Sequence, residues 1–345
     1  KEMRENGENP IILDAGDMFF STTSINSNNI KSEKHRCETM LDGYEKIGCD
    51  GLNIGKYELL TGVSYLKSLR EKYPKIPFLS ANIRDKNTNK LIFSPYEIIQ
   101  RENVSIGVIG LTNMVPDTMK SIIVDDYIKT GKNLIKKIKN DVDIIIMLVN
   151  SDRGTHNSQP KNFENADFIF VSGSTNRTSP SMPQKDGGPF LYSNGKQGKY
   201  LTVIDLELKN NSSPIIDISS HEQKVRQLNN RLKRLQKKDP EKSLEDIYSG
   251  QENILNLINR YRNDLAKADS MLSKAINKMK FSSIALNNKI KDDPEILAMV
   301  DTAIETCSSL NLSTPKPPKR LKSRPNKKRT KTTRLPKPPK VKSRP

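Results

Sequence analysis

Short apolar runs separated by turn-forming residues dominate the first 212 residues. Residues 10–13, 77–80, 105–110, 143–149, 167–171, 190–192 and 200–208 read as strands. They are rich in Ile, Val and Phe and mostly apolar on both faces, as strands buried within a sheet are. Helical spacing falls between several of them, over 38–47, 62–72 and 131–139. That alternation predicts an α/β domain. The run 200–208 instead alternates inward and outward positions, which suggests that the sheet system ends there.

From about Ser220 the period changes. Val225, Leu228, Leu232 and Leu235 are three and four residues apart, and Asp239-Pro240 then breaks the pattern. Ile254, Ile258, Tyr261, Leu265, Ala268, Leu272, Ala275 and Met279 follow in a four-three alternation, a heptad seam. A short and a long helix joined by a polar break pack most simply as an antiparallel hairpin. Closure of the seam within that hairpin and self-association between chains are both open. Asp292-Asp293-Pro294 supplies a cap and a first-turn proline for a last helix to about Cys307. The expected organisation is an α/β domain over 1–212, a helical hairpin arm over 218–311 and a disordered basic tail over 312–345.

Charge sharpens that division. The chain has 58 Lys and Arg against 40 Asp and Glu, a net +18. Residues 313–345 hold nine Lys, five Arg and no acid, which leaves 44 bases and 40 acids for the remainder. The tail also repeats itself: Pro-Lys-Pro-Pro-Lys at 315–319 recurs at 336–340. Eight prolines and self-repelling charge cannot build a core. Lys316, Lys319, Arg320, Lys337 and Lys340 are the expected contacts to an acidic protein or another anionic surface. No aromatic residue in the tail is available for base stacking, so nucleic acid is not the expected partner. The longest apolar run, 144–149, is far short of the roughly 20 residues of a membrane span. Cys37, Cys49 and Cys307 fit no metal or haem spacing. They read either as three buried thiols or as a Cys37–Cys49 disulfide plus one thiol.

Four segments carry candidate chemistry, in chain order. They are Leu-Asp-Ala-Gly-Asp at 13–17, Gly-Lys-Tyr-Glu at 55–58, the strand 144–149 running into Asn150, and Gly-Ser-Thr-Asn at 173–176. Carboxylates on a tight glycine turn at the carboxyl edge of a sheet suit hard metal ions. In order and spacing these segments resemble the calcineurin-like metallophosphatase superfamily, in its 5′-nucleotidase branch. Phe-Leu-Ser-Ala-Asn at 78–82 and Ile-Gly-Val-Ile-Gly-Leu-Thr at 106–112 add to the likeness, which spans about residues 8–208. The resemblance implies a four-layer α/β/β/α sandwich and a two-metal site built from loops at the strand ends.

Measured against that pattern, the functional positions depart. Gly16-Asp17 keeps the bridging carboxylate. Lys56 and Tyr57 stand where the family has Asn and His, and Asn150 where it has a ligand His. Ser174 and Asn176 replace two further His. The first motif, D-x-H, would lie upstream of Lys1, so the gene product is expected to extend further. His35, His156 and His221 are the three histidines of the chain, and only His156 lies near a motif. Dinuclear hydrolysis needs several anionic or imidazole ligands, and Asn and Ser replace imidazole poorly. No cofactor and no catalytic residue are therefore expected. A Lys56–Asp17 salt bridge in place of metal is expected, since buried charge requires pairing; a solvent-facing Lys56 is the alternative.

The expected function is that of a catalytically inactive scaffold, an accessory or assembly subunit of an exported complex. An active metal-dependent 5′-nucleotidase or phosphoesterase is the alternative. The stretch 292–296 also resembles a helical segment that leads, in some members of the family, into a multihaem cytochrome domain. That likeness implies an exported, periplasmic or equivalent lumenal location and multihaem or other redox subunits as partners.

Overall fold

The computed structural model describes residues 2–179, 182 and 184–311. The tail, with Lys316, Lys319, Arg320, Lys337 and Lys340, lies outside the described residues. The apolar runs assemble into facing sheets. One is parallel, in the order β1 (Leu13–Asp14), β2 (Gly51–Asn53), β3 (Phe78–Leu79). A small antiparallel pair joins β4 (Ile83–Asp85) to β7 (Ile122–Val124). The largest sheet runs β10 (Phe190–Tyr192), β9 (Phe168–Ser172), β8 (Ile144–Asn150), β6 (Val104–Thr112), β5 (Tyr96–Arg101). All its pairs are parallel except β5–β6.

Successive side chains of a strand point to opposite faces, and β8 uses both. Ile144, Ile146 and Leu148 enter the core between the sheets with Val108, Phe168 and Tyr192. Ile145, Met147 and Val149 face outward, against Tyr127, Ile135 and Ile138 of α3 (Tyr127–Ile138). Asp126 caps that helix, its carboxylate accepting the Lys129 N–H at 2.8 Å. The outer face of the first sheet is covered by α1 (Ile30–Ile47) and α2 (Val63–Lys72), through Cys37, Leu41, Leu66 and Leu69. Each such Leu or Ile contributes about 1.5–3 kcal/mol by leaving water. The result is the α/β domain that the alternation predicts, in the four-layer sandwich that the resemblance implies.

The sheet system does not end at β11 (Tyr200–Glu207). Residues 277–285, whose Met279 continued the helical seam on paper, form β13 (Asn277–Ala285). It pairs antiparallel with β11 over eight residues and parallel with β12 (Ile215–Asp217). Met279 and Phe281 thereby enter the inter-sheet core, and the Tyr192 and Phe281 rings lie 4.7 Å apart.

The arm is thus an insertion between two strands of one sheet. It consists of α4 (Ile218–Gln236) and α5 (Glu252–Lys274) joined through a short turn at Leu244–Ile247. Its seam closes within the hairpin: Leu232, Leu235, Ile254, Leu255 and Ile258 pack around Leu244 and Tyr248. The expected coiled coil finds no support in this packing. The last helix, α6 (Pro294–Leu310), begins at Asp293, whose side chain accepts the Glu295 and Ile296 N–H groups. It packs on α1, where Cys307 donates to the Ser32 carbonyl at 3.3 Å. Cys37, Cys49 and Cys307 are buried free thiols.

Candidate active site

Register brings the motif residues together. Thr112 pairs with Asn150, and Asn150 with Ser172, across the carboxyl ends of β6, β8 and β9. Asn150 falls on the same face as Leu148, so the alternation aims it into the gap between the sheets. From the facing sheet come the loops after β1 and β2. The Asn150 amide bridges the two sides: Oδ1 accepts the Lys56 N–H at 3.0 Å, and Nδ2 donates to Ser172 Oγ at 2.8 Å. Ser172 Oγ donates onward to the Ala15 carbonyl at 2.6 Å. Asn53 Nδ2 ties the Ala15 and Leu111 carbonyls together, and Thr112 Oγ donates to the Ile54 carbonyl.

Glu58 is the centre of the loop packing. Its fully buried carboxylate accepts the N–H groups of Asp17, Met18, Phe19 and Gly55 at 2.8–3.2 Å. Asp17 in turn accepts the Tyr57 N–H at 2.9 Å. Asp17 has φ 68°, a left-handed conformation uncommon for a non-glycine residue. The opposing loops fix it from both sides. Asp14 accepts from the Tyr44 hydroxyl at 2.6 Å and from the Gly16 N–H at 2.7 Å.

Three carboxyls lie close together, Glu58 fully buried and Asp14 and Asp17 partly so. Burial, and then the Asp17 charge, push Glu58 up to about 8 against the pull of its backbone donors. Burial also raises Asp14 and Asp17, and the Tyr57, Asn150 and Lys56 contacts oppose that rise at Asp17. Lys56 acts on Asp17 through space and through its backbone. The expected Lys56–Asp17 salt bridge is absent from the ion pairs of the described residues, because backbone N–H groups already compensate the carboxylate.

Asp17, Lys56, Tyr57 and Asn150 are therefore brought together, while Ser174 and Asn176 are not joined to them. Ser174 Oγ accepts the Asn176 N–H, and the Asn176 carbonyl accepts from Ser193 Oγ. His156 is buried with an unpartnered Nδ1, and His221 lies 3.8 Å from Asp186. No histidine hydrogen-bonds Asp17, Glu58 or Asn150 among the described residues. Glu58, Asn53, Thr112 and Ser172 were not among the expected site residues. Glu58 carried a signal, as the acid that closes the second motif, and so did Thr112, as the last residue of the segment 106–112.

The two-metal centre implied by the fold family was tested against this donor set. Among the described residues no group of three or more His, Cys, Asp or Glu is placed to hold a metal ion. Glu58 is engaged by backbone N–H groups on both oxygens, and the Asn150 amide is used at both ends. The side chains present do not fit a dinuclear cluster.

No protein-family model matches the chain. Among curated proteins it is 27% identical to the protein UshA of Salmonella pullorum over 252 residues, 63% of this chain and 44% of that protein. It is 34% identical to a 5′-nucleotidase of Vibrio cholerae over 119 residues, 34% of this chain and 20% of that protein. The chain thus spans less than half the length of these relatives. Among solved structures, a 5′-nucleotidase precursor from Thermus thermophilus matches with TM-score 0.50 and 16% identity, over 62% of this chain and 45% of that one. A Candida albicans 5′-nucleotidase matches with TM-score 0.51 and 12% identity, over 91% and 52%. These likenesses show the fold. The expectation of an inactive scaffold, and of a non-enzyme, is overturned by relatives named as 5′-nucleotidases; lost ligand types at matched positions were too narrow a basis for it. Relatives and fold neighbours together indicate the metallophosphatase/5′-nucleotidase superfamily.

Proposed function

We propose that the chain is part of a phosphoric-ester hydrolase of the 5′-nucleotidase kind, acting on nucleoside monophosphates. The observation that carries this reading is the joining of Asp17, Glu58, Asn150 and Ser172 at the carboxyl ends of parallel strands from two facing sheets. Ligands of α/β sheets bind at such edges. The relatives named as 5′-nucleotidases support the substrate class. In this reading Asp17 is the proton acceptor for an attacking water, its basicity raised by burial. Lys56 supplies positive charge to the phosphate, and Glu58 positions both loops.

The test is phosphate release from nucleoside 5′-monophosphates by the full chain, with and without added Mn²⁺ or Mg²⁺. Release should fall by about a hundredfold in Asp17→Asn, which keeps the acceptor for the Tyr57 N–H and so should fold. Wild-type protein that is folded by circular dichroism yet inert toward every nucleotide and cation would overturn the reading.

An exported location is proposed with this function, supported by the likeness to an exported family. No helix among the described residues is long and apolar enough to cross a membrane.

A further inference from the structure

A groove runs along the arm between α4 and α5. It comprises two cavities of about 400 and 370 Å³ that share Lys224 and Gln227 as lining residues. Lys224 and Arg231 are seven residues apart on α4, and Arg260 and Lys267 seven apart on α5. The helices are antiparallel, so Lys224 and Lys267 line one cavity while Arg231 and Arg260 line the other. Asp264 is the one acid in the lining, 3.7 Å from Lys224 Nζ. Among the described residues Arg231, Arg260 and Lys267 enter no ion pair, and all three are exposed.

The charge is local. Residues 224–238 hold seven bases and no acid. Over 218–274 there are twelve bases and eight acids, which accounts for the whole +4 excess of residues 1–312. A groove with such a lining concentrates anions.

Its shape and lining select among anions. No large apolar side chain is exposed on α4 or α5, so nothing anchors the arm in lipid. The one aromatic ring in the lining, Tyr261, has the Arg231 guanidinium 5.4 Å from its centre, and a single ring with one face engaged is not the row of rings on which successive bases stack. Carboxylates suit exposed guanidinium groups, which bind them in paired hydrogen bonds. Seven helical residues advance about 10 Å, and one three-residue turn of polyproline II chain advances about 9 Å and returns to the same side. Carboxylates three residues apart would meet successive cation pairs.

We propose that this groove binds an acidic polypeptide segment in the polyproline II conformation, with acidic side chains at positions i and i+3. The probe is a fluorescent twelve-residue peptide with Glu at every third position, compared with a peptide of the same composition whose Glu residues are clustered at one end. Binding to the full chain is followed by anisotropy, so the contribution of the basic tail is constant. The spaced peptide should bind at least about fivefold more tightly than the clustered one. Arg231→Glu with Arg260→Glu should abolish that preference, and so should the milder Arg231→Gln with Arg260→Gln. Equal binding of the two peptides by wild type, or variants that keep the preference, would overturn the proposal. A single-stranded oligonucleotide or anionic vesicle that outcompetes the spaced peptide, and loses that advantage in the variants, would overturn the choice of partner.

Discussion

Gly55 stands where a β-carbon would lie 2.8 Å from Asp17 Oδ1 and 2.9 Å from the Asn150 side chain. Those groups cannot move apart freely, since each is held by backbone N–H groups of the opposing loop. Gly55→Ala should therefore lower stability by about 1–3 kcal/mol, seen as a fall in the denaturation midpoint. At this scale the sequence revealed half of the site. Asn150 was legible because it ends an apolar run, where a strand must hand over to a loop, and Asp17 because it follows a glycine just beyond such a run, in the pattern of the family the segment resembles. Ser172 and the four-fold engagement of Glu58 were not. They depend on how two loops distant in sequence meet, and no local spacing encodes that.

Among the elements, the strands of the body were readable because both of their faces are apolar. Strand β5 was missed: Glu97, Gln100 and Arg101 break its apolar pattern, as suits the outermost strand of a sheet. The arm shows a sharper ambiguity. Ala275 and Met279 fit a helical seam, yet Asn277, Met279 and Phe281 equally fit a strand with one buried face. The strand prevails because β11 and β12 would otherwise have no partner between them. Within the hairpin, Ile258 is 1% exposed at the centre of a small apolar cluster. Ile258→Ala should cost about 2–4 kcal/mol. Hydrogen exchange should accelerate in α4 and α5 while β6 and β8 remain protected.

For the molecule as a whole, the buried acids set the response to pH. Glu58 titrates near 8 in the fold against an ordinary value of 4.5. Asp14, Asp17, Asp167 and Asp217 are raised as well, each chiefly by burial. A carboxyl that holds its proton more tightly when folded contributes fully below its unfolded pKa. That contribution is lost as pH rises through the folded value. Stability should therefore fall between pH 4.5 and about 8, read from denaturant midpoints across that window. A midpoint that climbs instead would mean the backbone donors keep Glu58 ionised. The inserted arm has its own consequence for assembly. Eight residue pairs join β11 to β13, yet 69 residues of chain separate the end of one strand from the start of the other. During synthesis β11 must wait, its edge open, until the hairpin has emerged. Afterwards the sheet acts as a clasp, so a cut in the turn between α4 and α5 would leave both pieces held by the same ladder.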